Sequence, residues 1–331
     1  MSGISQIGGK FRLRKRLLEF TPYHEFFLSM FCGACHYELN KPRTRYECFN
    51  DIESEIINYF LMVREHPEEF NKMKEGIFGV VSQEIANRIV NGKINPKNDL
   101  ERAYFFYYLN KVTFGGTIWK IRKNPPYKGI DPSGNHIQYN KYRGLTLPTS
   151  CKNDLRGVVP KASYKGINPK TTRPWSNNDL GLLTPLNIEA IERLKYVNMT
   201  AYDFIKVYKM FYKGFFERKK LTKECFIYAD PPYPGTEKYY GTGFGEKEHL
   251  KLIEILINSP FNFMLTIGGE CEFYIEELKA NNWFIEPVKV KYSTDANSQK
   301  ESQEYICMNY DIKKVPKMIM VNQPNIINYI K

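Results

Sequence analysis

The stretch Phe226-Ile227-Tyr228-Ala229-Asp230-Pro231-Pro232-Tyr233 decides how this chain folds. Its first four residues read as a buried strand. The two prolines lack the N–H donor and cannot extend a central ladder, so the strand stops at Asp230. In an open α/β sheet, ligands bind outside the carboxyl ends of the strands, which sets Asp230, Pro231, Pro232 and Tyr233 at the rim of a crevice. A carboxylate and a backbone carbonyl held rigid by proline can accept both N–H bonds of one exocyclic amino group. A tyrosine beside them can stack on the heterocycle that carries the group.

Working outward, the segments on either side repeat the strand and turn logic. Phe26 to Phe31 is an apolar run, followed by Cys32-Gly33-Ala34-Cys35-His36 and then Tyr37-Glu38-Leu39-Asn40-Lys41, which reads as strand, tight small-residue turn and helix start. The cysteine pair also has the spacing of a redox or haem-attachment motif, and with Cys48 it invites a zinc reading. Zinc would need a second close pair, and covalent haem would go with an export segment. The turn reading is therefore the expected one, with no metal. Tyr46 to Asn50 forms a second short strand ending in Asp51, an acid suited to ribose hydroxyls and equally to capping the helix that follows. Nearer the start, Gly8-Gly9-Lys10 precedes a basic helix; the glycines allow close backbone approach to a ligand, or form a flexible arm.

Residues 58–103 carry a helical spacing of apolar side chains, and Tyr104 to Lys111 is an aromatic stripe that reads as core rather than as a base-stacking surface. It runs through Asn110 and Lys111 towards Phe114-Gly115-Gly116, a turn signal. Residues 118–185 are rich in Lys, Arg, Asn, Gly and Pro and lack periodicity, as suits loops that contact phosphates and base edges, or a solvated insertion. That stretch holds a decoy, Asn124-Pro125-Pro126-Tyr127, preceded by the basic Lys120-Ile121-Arg122-Lys123 instead of a buried strand. Tyr196 to Thr200 is another strand, followed by Tyr202-Asp203-Phe204, an acid and rings suited to an adenine edge. Downstream, residues 246–257 and 272–279 read as helices, and 261–266, 283–292 and 305–310 as strands.

Composition narrows the partner. The chain has 331 residues, with Lys and Arg exceeding Asp and Glu by 12 charges, an imbalance that favours a polyanion such as nucleic acid. No apolar run approaches the roughly 18 residues needed to cross a bilayer, and the N-terminus lacks an apolar leader. No membrane association is expected. Seven cysteines, an odd number, fit reduced thiols and a cytoplasmic location.

In order along the chain, these pieces resemble the Dam-type N6-adenine DNA methyltransferases. Gly8-Gly9-Lys10 is similar to their N-terminal cofactor motif, Phe31-Cys32-Gly33-Ala34-Cys35 to their S-adenosylmethionine loop, and Asn50-Asp51 to their ribose-binding acid. Asp203-Phe204 is similar to the adenine-proximal pair of the cofactor site, Leu109-Asn110-Lys111 to the opening of the DNA-contacting part, and Asp230 to Tyr233 to the catalytic tetrapeptide. Glu304 to Tyr310 resembles the last strand. The resemblance implies an α/β fold: a Rossmann-like, mostly parallel seven-stranded sheet whose last strand is antiparallel, with an inserted, mainly helical target-recognition domain. The catalytic domain would take residues 1–54 and 185–315, the insertion 55–184, and a tail 316–331. It further implies S-adenosylmethionine as cofactor and double-stranded DNA as partner, contacted by Asn110, Lys111, Lys120, Arg122, Lys123, Lys141 and Arg143. RNA adenine or cytosine N4 as the acceptor, and a DNA-binding pseudoenzyme, are the alternatives. The chain departs from the family where Ser29-Met30 replaces Glu-Pro, removing an acid expected near the methionine amine, and where Cys35 replaces a glycine.

Overall fold

A computed structural model describes residues 3–4, 8–75, 83–90, 92–112, 129–130, 136–137, 188–236, 243–295 and 298–318. The chain divides into two compact units, Met1–Gly9 with Ile52–Lys195 and Lys10–Asp51 with Tyr196–Lys331.

The second unit is built on a seven-stranded sheet. Its strands are β1 (Phe26–Ser29), β2 (Tyr46–Asn50), β5 (Val197–Thr200), β6 (Cys225–Ala229), β7 (Asn262–Gly268), β8 (Phe284–Asp295) and β9 (Ser298–Met308), in the order β5-β2-β1-β6-β7-β9-β8. The first five lie parallel, and β9 runs antiparallel between β7 and β8. Every residue of β1 and of β6 is buried, as an interior parallel strand covered on both faces requires. The chain moves outward from β1 through β2 to β5, then crosses back to β6 on the other side of β1. That reversal opens a crevice at the carboxyl ends of β1 and β6, where Ser29 pairs with Tyr228.

Alternation along the strands assigns the two faces. Phe26, Leu28, Met30, Ile227 and Ala229 enter a buried cluster with α7 (Phe204–Tyr212), α8 (Glu246–Asn258) and α9 (Glu272–Ala280), through Val207, Phe211, Leu252, Leu256, Tyr274 and Leu278. Phe27, Phe226 and Tyr228 turn the other way, to His24, Tyr37, Phe49 and Tyr310, with ring centroids 4.6 Å apart for Tyr37 and Tyr228. The same face holds a fully buried ion pair, Lys41 Nζ to Glu47 Oε1 at 2.6 Å, with the Thr44 hydroxyl on the same oxygen. It lies after α1 (Arg14–Glu19), a short helix that buries Leu17.

Three local expectations need correction. The helix start at Tyr37 to Lys41 is a series of turns: Asn40 and Lys41 both return their N–H to the Tyr37 carbonyl, and Pro42 ends the run because the residue before proline avoids the helical region. Asp51 is not at the N-cap position of the next helix. That helix, α2 (Ser54–Glu65), has Glu53 at its N-cap, while the Asp51 carboxylate is engaged elsewhere. Strands β8 and β9 run well past residues 292 and 305, because backbone pairing carries them through Ser298 to Gln303, a polar stretch with no alternation to read.

In the first unit the described helices are α2, α3 (Pro67–Lys72), α4 (Gln83–Val90), α5 (Asp99–Val112) and α6 (Ile188–Leu194). Proline at the first position of α3 opens that helix where its missing N–H costs nothing. Ala103 to Asn110 of α5 are all buried, so the aromatic stripe is core. Tyr107 stacks on Tyr59 of α2 at 5.8 Å, Phe70 packs on Tyr104 and Tyr107, and Arg102 pairs with the buried Glu55 at 3.3 Å. β3 (Gly129–Ile130) and β4 (His136–Ile137) form a small antiparallel ladder. Residues 113–128, 131–135 and 138–187 lie outside the described set, and with them Phe114 to Gly116, Lys120, Arg122, Lys123, the Asn124 decoy, Lys141 and Arg143.

Candidate active site

Asp230 is the first residue beyond β6. Its Oδ1 receives the Lys10 ammonium at 2.8 Å and the Thr266 hydroxyl, from the neighbouring strand β7, at 2.7 Å. The Tyr228 hydroxyl is within 3.0 Å of Thr266 Oγ1 and extends the chain of polar contacts into the sheet. Burial pushes the Asp230 carboxyl above its ordinary range, and Lys10 and Thr266 oppose that shift by stabilising the charge. The result is a carboxylate fixed at the crevice with a nitrogen donor already on it.

Tyr233 is held from three sides. Its hydroxyl donates to Glu304 Oε2 of β9 at 2.8 Å, Lys10 Nζ lies 4.7 Å from its ring centroid, and its carbonyl accepts from the Thr236 N–H at 2.9 Å. The ring lies against Gly268, which pairs with Glu304 in the sheet. A methyl carbon added at Gly268 would come within 2.9 Å of the ring, so only glycine leaves the space. Burial, with the nearby Asp230 and Glu304 charges, raises the Tyr233 phenol far above its usual range, and it remains a hydrogen-bond donor.

At the end of β1 the backbone makes the turn from Phe31 to Cys35. Gly33 and Cys35 both take positive φ, 47° and 52°, which explains why a glycine would suit position 35. The Cys32 N–H reaches the Asn50 carbonyl at 2.8 Å, and the Gly33 N–H reaches Asp51 Oδ2 at 2.8 Å. Asn50 itself, fully buried, joins three strand ends. Its amide donates to the carbonyls of Met30 (3.0 Å) and Tyr202 (2.9 Å), and its oxygen accepts from the Thr200 hydroxyl (2.8 Å) and the Tyr202 N–H (3.0 Å). Asp203 caps α7 through the Lys206 N–H at 3.0 Å, which sets Phe204 in a trio of rings with Phe31 and Phe244, all 5.6 to 5.8 Å apart. Cys32 and Cys35 are buried free thiols, and both point at the Gly33 carbonyl. Among the described residues, no cluster of His, Cys, Asp and Glu is arranged for a metal.

The structure also shows groups that sequence reasoning did not select. Ser29, where the resemblance implies an acid, has an acidic neighbour: its Oγ donates to Glu38 Oε1 at 2.6 Å, and burial lifts the Glu38 carboxyl to about 8. Nine residues separate the two, and only the irregular crossover brings them together. Thr266, Gly268 and Glu304 were invisible for the same reason, since their roles depend on strand register. Lys10 was expected at the cofactor; its ammonium lies on Asp230, between that carboxylate and Glu304 at 3.8 Å. Gly8, with φ 76°, and Gly9 group with the first unit. So do Asn110, which is buried, and Lys111, which is half-buried with its ammonium 5.5 Å from the Tyr107 ring and its pKa lowered by burial.

Residues 7–272 match the family model described as D12 class N6 adenine-specific DNA methyltransferase. A comparison with curated proteins finds no match. No helix among the described residues is long and apolar enough to cross a membrane.

Proposed function

This chain belongs to the D12 class N6 adenine-specific DNA methyltransferases, and from that premise we propose how its residues divide the work. The enzyme methylates N6 of adenine in DNA. The target adenine is read by Asp230, the Pro231 carbonyl and Tyr233, with Pro232 stiffening the turn between them. Adenine N6 is paired and stacked within a duplex, so the base is extruded before it reaches these groups, at a cost of a few kcal/mol.

The methyl donor is S-adenosylmethionine, which supplies a methyl group made electrophilic by the sulfonium charge. The residues at the end of β1 and around it suit such a nucleoside. Phe31, Phe204 and Phe244 offer apolar ring faces to a purine, Asp51 suits ribose hydroxyls, and Asp203 lies beside the rings. Gly33, Ala34 and Cys35 form the turn that a ligand approaches, and Gly8 and Gly9 join the group by resemblance. The DNA is a duplex, held by Lys111, Lys120, Arg122, Lys123, Lys141 and Arg143 within a target-recognition segment spanning residues 55–184; Asn110, grouped with them by resemblance, is buried in α5.

The adenine amino nitrogen is a poor nucleophile because its lone pair is delocalised into the ring. Accepting its two N–H bonds at Asp230 and at the Pro231 carbonyl pulls the nitrogen out of conjugation and aims the lone pair away from both acceptors. Holding that geometry is the main contribution to the rate. As the nitrogen–carbon bond forms and the carbon–sulfur bond breaks, the nitrogen becomes positive. It then loses one proton to the Asp230 carboxylate, made more basic by burial.

The observation that carries this reading is the nitrogen donor on Asp230 Oδ1 at the switch point of the sheet. Lys10 marks Asp230 Oδ1 as an acceptor of nitrogen donors and competes there with the adenine amino group. Asp230→Ala should lower methyl transfer by about 100-fold or more while leaving cofactor binding unchanged. Transfer of a labelled methyl group to duplex DNA, followed by digestion to nucleosides, measures the first; calorimetry measures the second. Unaltered turnover in that variant rules the assignment out.

A further inference from the structure

Glu304 lies on β9, beyond the matched residues 7–272, and no step described above uses it. Its carboxylate is 1% exposed, accepts the Tyr233 hydroxyl at 2.8 Å, and lies 3.8 Å from Lys10 Nζ. Lys10 Nζ is in turn 2.8 Å from Asp230 Oδ1, and its side chain is 4% exposed. One buried ammonium therefore stands between two carboxylates, bonded to one and a short step from the other.

That arrangement has a consequence for substrate entry. The adenine amino group competes with the Lys10 ammonium for Asp230 Oδ1, and a buried ammonium that yields there does not move into an apolar space without a counter-charge. Glu304 Oε2 needs the gap to close by only about 1 Å, from 3.8 to 2.8 Å, to become a full ion-pair partner. The Tyr233 hydroxyl already bonds the same oxygen, so the stacking ring and the displaced ammonium share one anchor.

We propose that Glu304 is a positioning residue of the active site: it anchors the Tyr233 hydroxyl and takes over the Lys10 ammonium when the target amino group takes Asp230. The proposal rests on the assignment of Asp230 and Tyr233 to the target adenine. Burial raises the Glu304 carboxyl and the nearby Lys10 charge opposes that rise, so the arrival of the ammonium also secures the ionised form.

The test is a double-mutant cycle on steady-state methyl transfer to duplex DNA, with cofactor affinity measured by calorimetry. Glu304→Gln keeps an oxygen for the Tyr233 hydroxyl and removes the charge. It should lower kcat by about tenfold or more with cofactor affinity unchanged. In Lys10→Met there is no ammonium to house, so Lys10→Met/Glu304→Gln should be no slower than Lys10→Met alone. Glu304→Asp keeps the charge and should retain kcat within about threefold of wild type. Independent losses that multiply in the double variant, an unchanged kcat in Glu304→Gln, or a Glu304→Asp as slow as Glu304→Gln would each overturn the role of Glu304. Asp230→Asn is the control for the underlying assignment. If it transfers methyl normally, the active-site reading itself fails; if it is inactive while the cycle is additive, only the Glu304 proposal fails.

Discussion

At the scale of the residue, the most consequential difference between sequence and structure is Glu38. Read in order, the chain has Ser29 where the resemblance implies an acid. Folded, the Ser29 hydroxyl donates to a buried carboxyl from nine residues downstream, and the loss of solvent moves that carboxyl from an ordinary 4.5 to about 8. A carboxyl raised on folding binds more protons in the native state than in the unfolded one. Its contribution to stability is therefore fully present below about pH 4.5 and is lost as the pH rises towards 8. At about 1.4 kcal/mol per pKa unit, several kcal/mol are at stake across that window. Glu38→Gln, which cannot ionise, should flatten the decline and be more stable than wild type at pH 8. Thermal melts of both proteins at half-unit steps from pH 5 to 8 check this, and parallel curves would show that Glu38 does not titrate in that range.

At the scale of the element, what could be read was what a strand or helix announces by itself. The fully buried β1 and β6, the Asp230 stop, and helices α8 and α9 all carry their pattern in adjacent residues, and the structure has them within a residue or two. The crossover after β1 could not be read, because its shape comes from bonds to distant residues: Asn50 to Met30 and Tyr202, Asp51 to Gly33. Within the site, Asp230, Tyr233, Asp51, Asp203 and Phe204 could be singled out from motifs, whereas Thr266, Gly268 and Glu304 gain their places only from the pairing of β6, β7 and β9. Asn50 is the clearest case of an element-level joint. Its side chain satisfies four polar groups at the ends of β1 and β5, one on the buried Met30 and three on the half-buried Thr200 and Tyr202, and removing it takes that partner from all four. Each buried group left without a partner costs about 1 to 3 kcal/mol, so Asn50→Ala should lose about 3 to 5 kcal/mol in denaturant unfolding. A loss below about 1 kcal/mol would mean that the strand ends are held by other bonds.

At the scale of the whole molecule, charge is the property that bears on DNA. The excess of 12 positive charges is a sequence-level fact, and it includes Lys120, Arg122, Lys123, Lys141 and Arg143 in the segment between α5 and α6. Phosphate contacts release condensed counterions, so the logarithm of affinity falls with the logarithm of salt concentration by about 0.9 for each contact on duplex DNA. If these five side chains meet phosphates, replacing all of them with glutamine should make the slope shallower by up to about 4 to 5. It should also weaken binding to target and scrambled duplexes alike, since phosphate contacts carry no sequence information. A residue that reads a base edge behaves differently: its loss narrows the gap between the two duplexes and barely moves the slope. Binding of both duplexes across a salt series, by wild type and the five-site variant, separates these outcomes. An unchanged slope with unchanged discrimination would take the DNA surface away from this segment and return it to the other basic residues of the chain.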